Sequence, residues 1–107
     1  VARSEFIMTS EGVDEVVAKI RSMPDHEHEK AIVDTIEVRL GGIILDIEEL
    51  DIYDGFSTAI EVYGSDWNEV SRNAEYIFRL LEKETGWRLG MRFDGDDNPT
   101  WERPGLP

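Results

Sequence analysis

Apolar positions fall along this chain with two periods, and the switches between them outline the elements. Val13, Val16, Val17, Ile20 and Met23 recur at steps of three and four, which predicts a helix over residues 11–23 with one buried stripe. Ser10 offers a hydroxyl to cap it and Pro24 ends it. Ahead of it, the run Glu5 to Met8 reads as a short first strand.

The clearest segment follows. Ile36, Val38 and Leu40 alternate with Glu37 and Arg39, then comes Gly41-Gly42, then Ile43, Leu45 and Ile47 alternate with Ile44, Asp46 and Glu48. Two glycines between mirrored alternations predict a hairpin closed by a two-residue turn. In that register Leu40 faces Ile43, Val38 faces Leu45 and Ile36 faces Ile47, so six apolar side chains share one face. Glu37 then lies opposite Asp46 on the other face, where like charges repel.

Between Ile47 and Leu50 the apolar phase slips from odd to even positions. A β-bulge at Glu48-Glu49 is one reading, leading into a second hairpin over Leu50–Tyr53, Asp54-Gly55 and Thr58–Tyr63. A break into two separate strands is the other. From Asp66 the period is helical again, through Trp67, Val70, Ala74, Ile77, Phe78 and Leu81. Asp66 with Glu69 resembles a capping box, and Gly86 is a candidate left-handed stop. Trp87, Leu89, Met91 and Phe93 then alternate as a last strand, and residues 94–107 read as an irregular C-terminal tail.

The resulting order, β-α-β-β-(β)-α-β, predicts an α+β fold. Two helices would pack on one face of a mainly antiparallel sheet of four or five strands. By element order alone this resembles an elaborated ferredoxin-like sandwich, an architecture that hosts many unrelated activities. No repeat or Gly/Ser/Pro-rich linker divides the 107 residues, so residues 1–107 are expected to form a single domain.

Charge changes this picture. Twenty-four acids against eleven bases leave a net charge of −13, and ten of the acids but only two of the bases lie between residues 25 and 54. Such a balance disfavours direct nucleic-acid binding, which needs a cationic surface. The absence of cysteine excludes disulfides, thiolate metal sites and cysteine nucleophiles. Neither a signal peptide nor a membrane span is read from the pattern, and a cytoplasmic protein is expected.

If both helices cover one face, the opposite face carries Glu37, Arg39, Ile44, Asp46 and Glu48, with Glu49, Asp51, Tyr53 and Asp54 at its rim. The plain reading is a solvated face kept charged for solubility. The functional reading is a docking surface for a cationic partner, retained despite the self-repulsion it imposes. Trp101, in Pro-Thr-Trp-Glu-Arg-Pro, is either a plug that docks the tail or an exposed aromatic anchor, whereas Trp67 and Trp87 sit on core-facing phases.

Two metal readings are weaker. His26 and His28 would project to one side of an extended segment, but two ligands do not make a site. Asp94, Asp96 and Asn98 have the spacing that opens a calcium loop, yet Pro99 stands where glycine is needed and Gly105 where glutamate is. No metal and no cofactor is expected. Gly-x-Ser-x-Gly and the phosphate-binding glycine loops are missing, so an enzyme is disfavoured.

In size, acidity and lack of catalytic motifs the chain is similar in type to bacterial immunity proteins, which inhibit a cognate toxin by covering its substrate cleft. The expectation is therefore a small acidic binding protein that masks a basic partner, a toxin or nuclease. It would use Glu37, Asp46, Glu48, Glu49, Asp51, Tyr53, Asp54 and Trp101. The alternative is a regulatory α+β domain, dimeric through an edge strand, that holds a small molecule on its sheet or in a helix–sheet cleft.

Overall fold

In a computed structural model, which describes residues 3–107, seven antiparallel strands and two helices alternate along the chain. The order is β1 (Arg3–Thr9), α1 (Val13–Arg21), β2 (His26–Ile32), β3 (Thr35–Leu40), β4 (Ile43–Glu49), β5 (Thr58–Gly64), α2 (Trp67–Glu84), β6 (Leu89–Phe93) and β7 (Pro99–Arg103). The strands form one sheet in the order β2-β3-β4-β5-β1-β6-β7. The α+β class and the two helices are as expected; the sheet is larger than four or five strands.

The β3–β4 hairpin has the register that alternation dictates: Leu40 opposes Ile43, Val38 opposes Leu45, Ile36 opposes Ile47 and Glu37 opposes Asp46. Gly41 and Gly42 both take positive φ, 57° and 79°, which a tight type I′ connection requires and a side chain would strain.

Directly paired residues form rows across the sheet. One row is apolar from end to end: Ile36, Ile47, Ile60, Ile7, Met91 and Trp101. Both helices pack on the face this row lines. Val16, Val17 and Ile20 of α1 and Ala74, Ile77, Phe78 and Leu81 of α2 join its members in one buried cluster. Burying a fully covered aliphatic side chain stabilises by roughly 1.5–3 kcal/mol, so this layer, rather than helix propensity, holds α1 with its three valines.

Several expectations are corrected. The slip after Ile47 is neither a bulge nor a second hairpin strand: β4 runs to Glu49, which pairs directly with Thr58, and residues 50–57 form a loop. The loop folds back because Leu50, Tyr53 and Phe56 have a second apolar patch to cover, Met8 and Ala59 on the helix-free face. Asp54-Gly55 does turn, with Gly55 at φ 82°, but inside this loop. Residues 26–32, which the apolar pattern assigns to no element, form edge strand β2, whose polar side chains gave no alternation to detect.

The C-terminal segment is not an irregular tail. Pro99–Arg103 pairs with β6, and Arg103 reaches the end of α2 to donate to the carbonyls of Glu82 and Thr85 at 2.7 Å each and of Trp87 at 2.8 Å. These bonds satisfy carbonyls that a helix terminus otherwise leaves open. Helix α2 therefore ends at Thr85 in extended backbone, without the left-handed glycine anticipated at Gly86. At its start Asp66 accepts from the Glu69 amide at 2.8 Å, but Glu69 returns its carboxylate to Ser65, at 3.2 Å to the amide and 3.1 Å to the hydroxyl.

Candidate functional site

The helix-free face is built from the other parity of the same strands. Its central row, again through direct pairs, runs Lys30, Glu37, Asp46, Glu61 and Phe6 from β2 to β1. Three carboxylates on three adjacent strands thus stand side by side, one strand spacing of about 5 Å apart. Glu48, opposite Ala59 on β4, adds a fourth on this face.

A hydrogen-bonded group ties this row together. The Tyr63 hydroxyl lies 2.7 Å from Asp46 Oδ2 and 2.9 Å from Glu61 Oε1, and the Ser4 hydroxyl donates to Glu61 Oε2 at 2.5 Å. A phenol has one proton to donate, so Tyr63 shares it between two carboxylates. Burial, followed by the hydrogen bonds to Asp46 and Glu61, pushes the Tyr63 phenol above the ordinary tyrosine range. Asp46 Oδ1 is shielded from solvent and has no hydrogen-bond partner.

Among the described residues no cation pairs with Glu37, Asp46, Glu48 or Glu61 within ion-pair distance; of the ten acids between 25 and 54 only Glu29 is so paired, with Arg21 and His26. The Arg21 hydrogen bond, the largest influence, holds the Glu29 carboxyl below the usual carboxylate range. Arg88 instead binds Glu102, and Arg92 binds Glu5 and Glu75. Lys30 and Arg39 share the acidic face on β2 and β3, so its negative charge is concentrated over β4 and β5.

The remaining residues anticipated from sequence do not all join this group. Glu49, Asp51 and Asp54 are exposed, but Glu49, opposite Thr58, has the helix-side phase of Ile47 rather than that of the acidic row, and only Asp51 and Asp54, on the following loop, remain at the rim. Tyr53 is half-buried, its ring stacked on Phe93 with centroids 3.8 Å apart. Trp101 lies on the helix side, edge-on to Phe78 and with the guanidinium carbons of Arg79 and Arg92 over its ring, 4.8 and 5.0 Å from the centroid. It docks β7 onto the core, separated from the acids by the thickness of the sheet. Trp67, expected in the core, is 59% exposed, with Arg3 over its ring.

Glu61, Tyr63, Ser4 and Phe6 were not singled out by sequence. Their signal was the polar phase of β5 and β1, legible only once the β4–β5 register is known. The two histidines also separate: a register shift at Glu27 pairs His26 with Leu40 on the helix side and His28 with Arg39 on the open side. The Asp94 carboxylate is occupied by its own turn, accepting from the amides of Asp96 and Asn98 at 2.9 and 3.0 Å. Among the described residues no three His, Asp or Glu side chains are grouped to hold a metal, and no helix is long and apolar enough to cross a membrane.

No protein-family model matches this chain, and no curated protein or solved structure is significantly similar to it.

Proposed function

We propose that the chain is an acidic binding protein that masks a basic protein partner, in the manner of bacterial immunity proteins acting on a toxin or nuclease. One observation carries the reading: Glu37, Asp46 and Glu61 stand in one row on a helix-free face and, among the described residues, none of them has a cation within ion-pair distance, although Lys30 lies across the strand from Glu37. Like charges directly across a sheet cost stability, and a partner's lysines or arginines would relieve that cost on docking. Carboxylates gathered on one face complement the charge of a protein surface that holds a polyanion. Catalysis forms no part of the proposal.

The strand order β4-β5-β1-β6, with α1 after β1 and α2 after β5, supports an elaborated ferredoxin-like reading of the fold. In it β2, β3 and β7 are additions at the two edges.

The test uses a defined probe, a short Lys/Arg-rich peptide titrated into isotope-labelled protein. Amide shifts should cluster on β3, β4 and β5 around Glu37, Asp46 and Glu61, and affinity should fall as salt rises. The triple variant Glu37→Gln, Asp46→Asn, Glu61→Gln should bind at least tenfold more weakly without a lower melting temperature. Shifts spread over both faces, or binding indifferent to the triple substitution, would remove the basis for the proposal. A basic toxin encoded beside this chain would be the natural partner to carry into the same assay.

A further inference from the structure

The acidic row does not end in solvent. Its last member, Phe6 on β1, is directly opposite Glu61 and is 40% exposed. From there the surface drops into a recess of about 490 Å³ between β1 and the 50–57 loop, lined by Phe6, Met8, Leu50, Ile52, Tyr53 and Phe93. The stacked Tyr53 and Phe93 rings stiffen one side, and Ile52 stands 63% exposed on the loop.

The two charged residues that also line the recess, Glu5 and Arg92, are already engaged. Arg92 donates to Glu5 at 2.6 Å and to Glu75 at 3.0 Å, both charge-assisted bonds that also keep its guanidinium over Trp101. A metabolite pocket normally presents a few convergent polar groups, and here these are tied to one another. An apolar side chain fits the recess better than a polar small molecule does.

We infer that the partner of the proposed masking face presents an extended segment in which basic residues are followed by one large apolar side chain, the bases lying over Glu37, Asp46 and Glu61 and the apolar group entering the recess beside Phe6 and Ile52. This rests on the masking reading and deepens it by giving the partner an anchor. The occupant is set by charge on one side and by continuity with apolar surface on the other. Glu37 to Phe6 spans three strand spacings, roughly 14 Å, which four to five residues of extended chain cover at about 3.3 Å each. Side chains two apart in that segment face the same way and lie about 6.6 Å apart, so two bases at alternate positions span the three carboxylates and the apolar residue next in phase reaches Phe6. Anchors of this kind, desolvated beside a charged rim, concentrate binding energy in protein interfaces.

Two peptides test this, Lys-Ser-Arg-Ser-Leu and Lys-Ser-Arg-Ser-Ser, with blocked termini and equal charge. Leucine should tighten binding about tenfold. Ile52→Ser and Phe6→Ser, both at exposed positions, should each abolish most of that gain while leaving the serine peptide's affinity unchanged. If the serine peptide binds and leucine adds nothing, the anchor inference falls and the acidic-face reading stands. If neither peptide binds, both fall. A gain that survives both substitutions places the apolar contact elsewhere and overturns the inference, as does N-acetyl-leucinamide alone binding as tightly as the leucine peptide.

Discussion

The Tyr63 hydroxyl lies 2.7 Å from Asp46 Oδ2, across the β4–β5 pair, in the middle of a surface made mostly of acids. That contact holds the central carboxylate in place and binds the phenol's proton tightly, since a phenolate there would face Asp46 and Glu61 after losing its solvent.

The raised Tyr63 pKa makes stability fall at high pH. An unfolded tyrosine releases its proton near pH 10, whereas the folded chain keeps it to more alkaline pH, so the unfolded state binds fewer protons in that window. The contribution is complete below about pH 10 and declines above it. Denaturation curves for the natural chain should therefore lose stability from pH 10 upward faster than those of Tyr63→Phe, and the phenolate absorbance missing from the variant should appear above the ordinary range. A Tyr63 step at the free-tyrosine pKa would contradict this.

Glu37 faces Asp46, and Asp46 faces Glu61; among the described residues none of the three has a cation within ion-pair distance, Lys30 facing Glu37 from β2 without forming one. Neutralising the outer member, Glu37→Gln, should raise stability by roughly 0.5 kcal/mol at low ionic strength, within the range of cross-strand charge pairs. Added salt should shrink the difference, because this face is open to solvent screening. Melts of both proteins at low and high salt would show it; a destabilised variant would mean that the attraction of Lys30, directly opposite Glu37 on β2, outweighs the repulsion from Asp46.

Arg103 ties the last strand to the end of the long helix through three backbone carbonyls. Arg103→Ala should cost about 2 kcal/mol or more in urea denaturation, since half-buried carbonyls lose charge-assisted partners. Lysine should recover little, as a single ammonium cannot reproduce the planar fork. Full rescue by lysine would show that charge alone matters.

Much of the fold was legible because its signals are local. The β3–β4 register follows from alternation around Gly41-Gly42, and α2 from its apolar period and the Asp66 cap. Edge strand β2 was hidden because a strand with exposed side chains on a sheet edge needs no hydrophobic alternation. Strand β7 was hidden by Pro99, Pro104, Pro107 and Gly105, which read as a breaker sequence although only Pro99 lies inside the strand, at its first residue.

Of the candidate site, Glu37 opposite Asp46 was determined by sequence alone, since a two-residue turn between alternating strands leaves one register that buries the apolar residues. The third carboxylate and the recess beside it were decided by tertiary structure. Whether β5 pairs with β4 in a register that brings Glu61 beside Asp46 depends on residues 50–57 leaving the sheet. They leave because Leu50, Tyr53 and Phe56 find apolar cover on Met8 and Ala59, more than forty positions away from Met8 in the chain. The position of Trp101 was likewise a matter of long-range pairing: its row on the apolar face exists only after β1, β6 and β7 have come together.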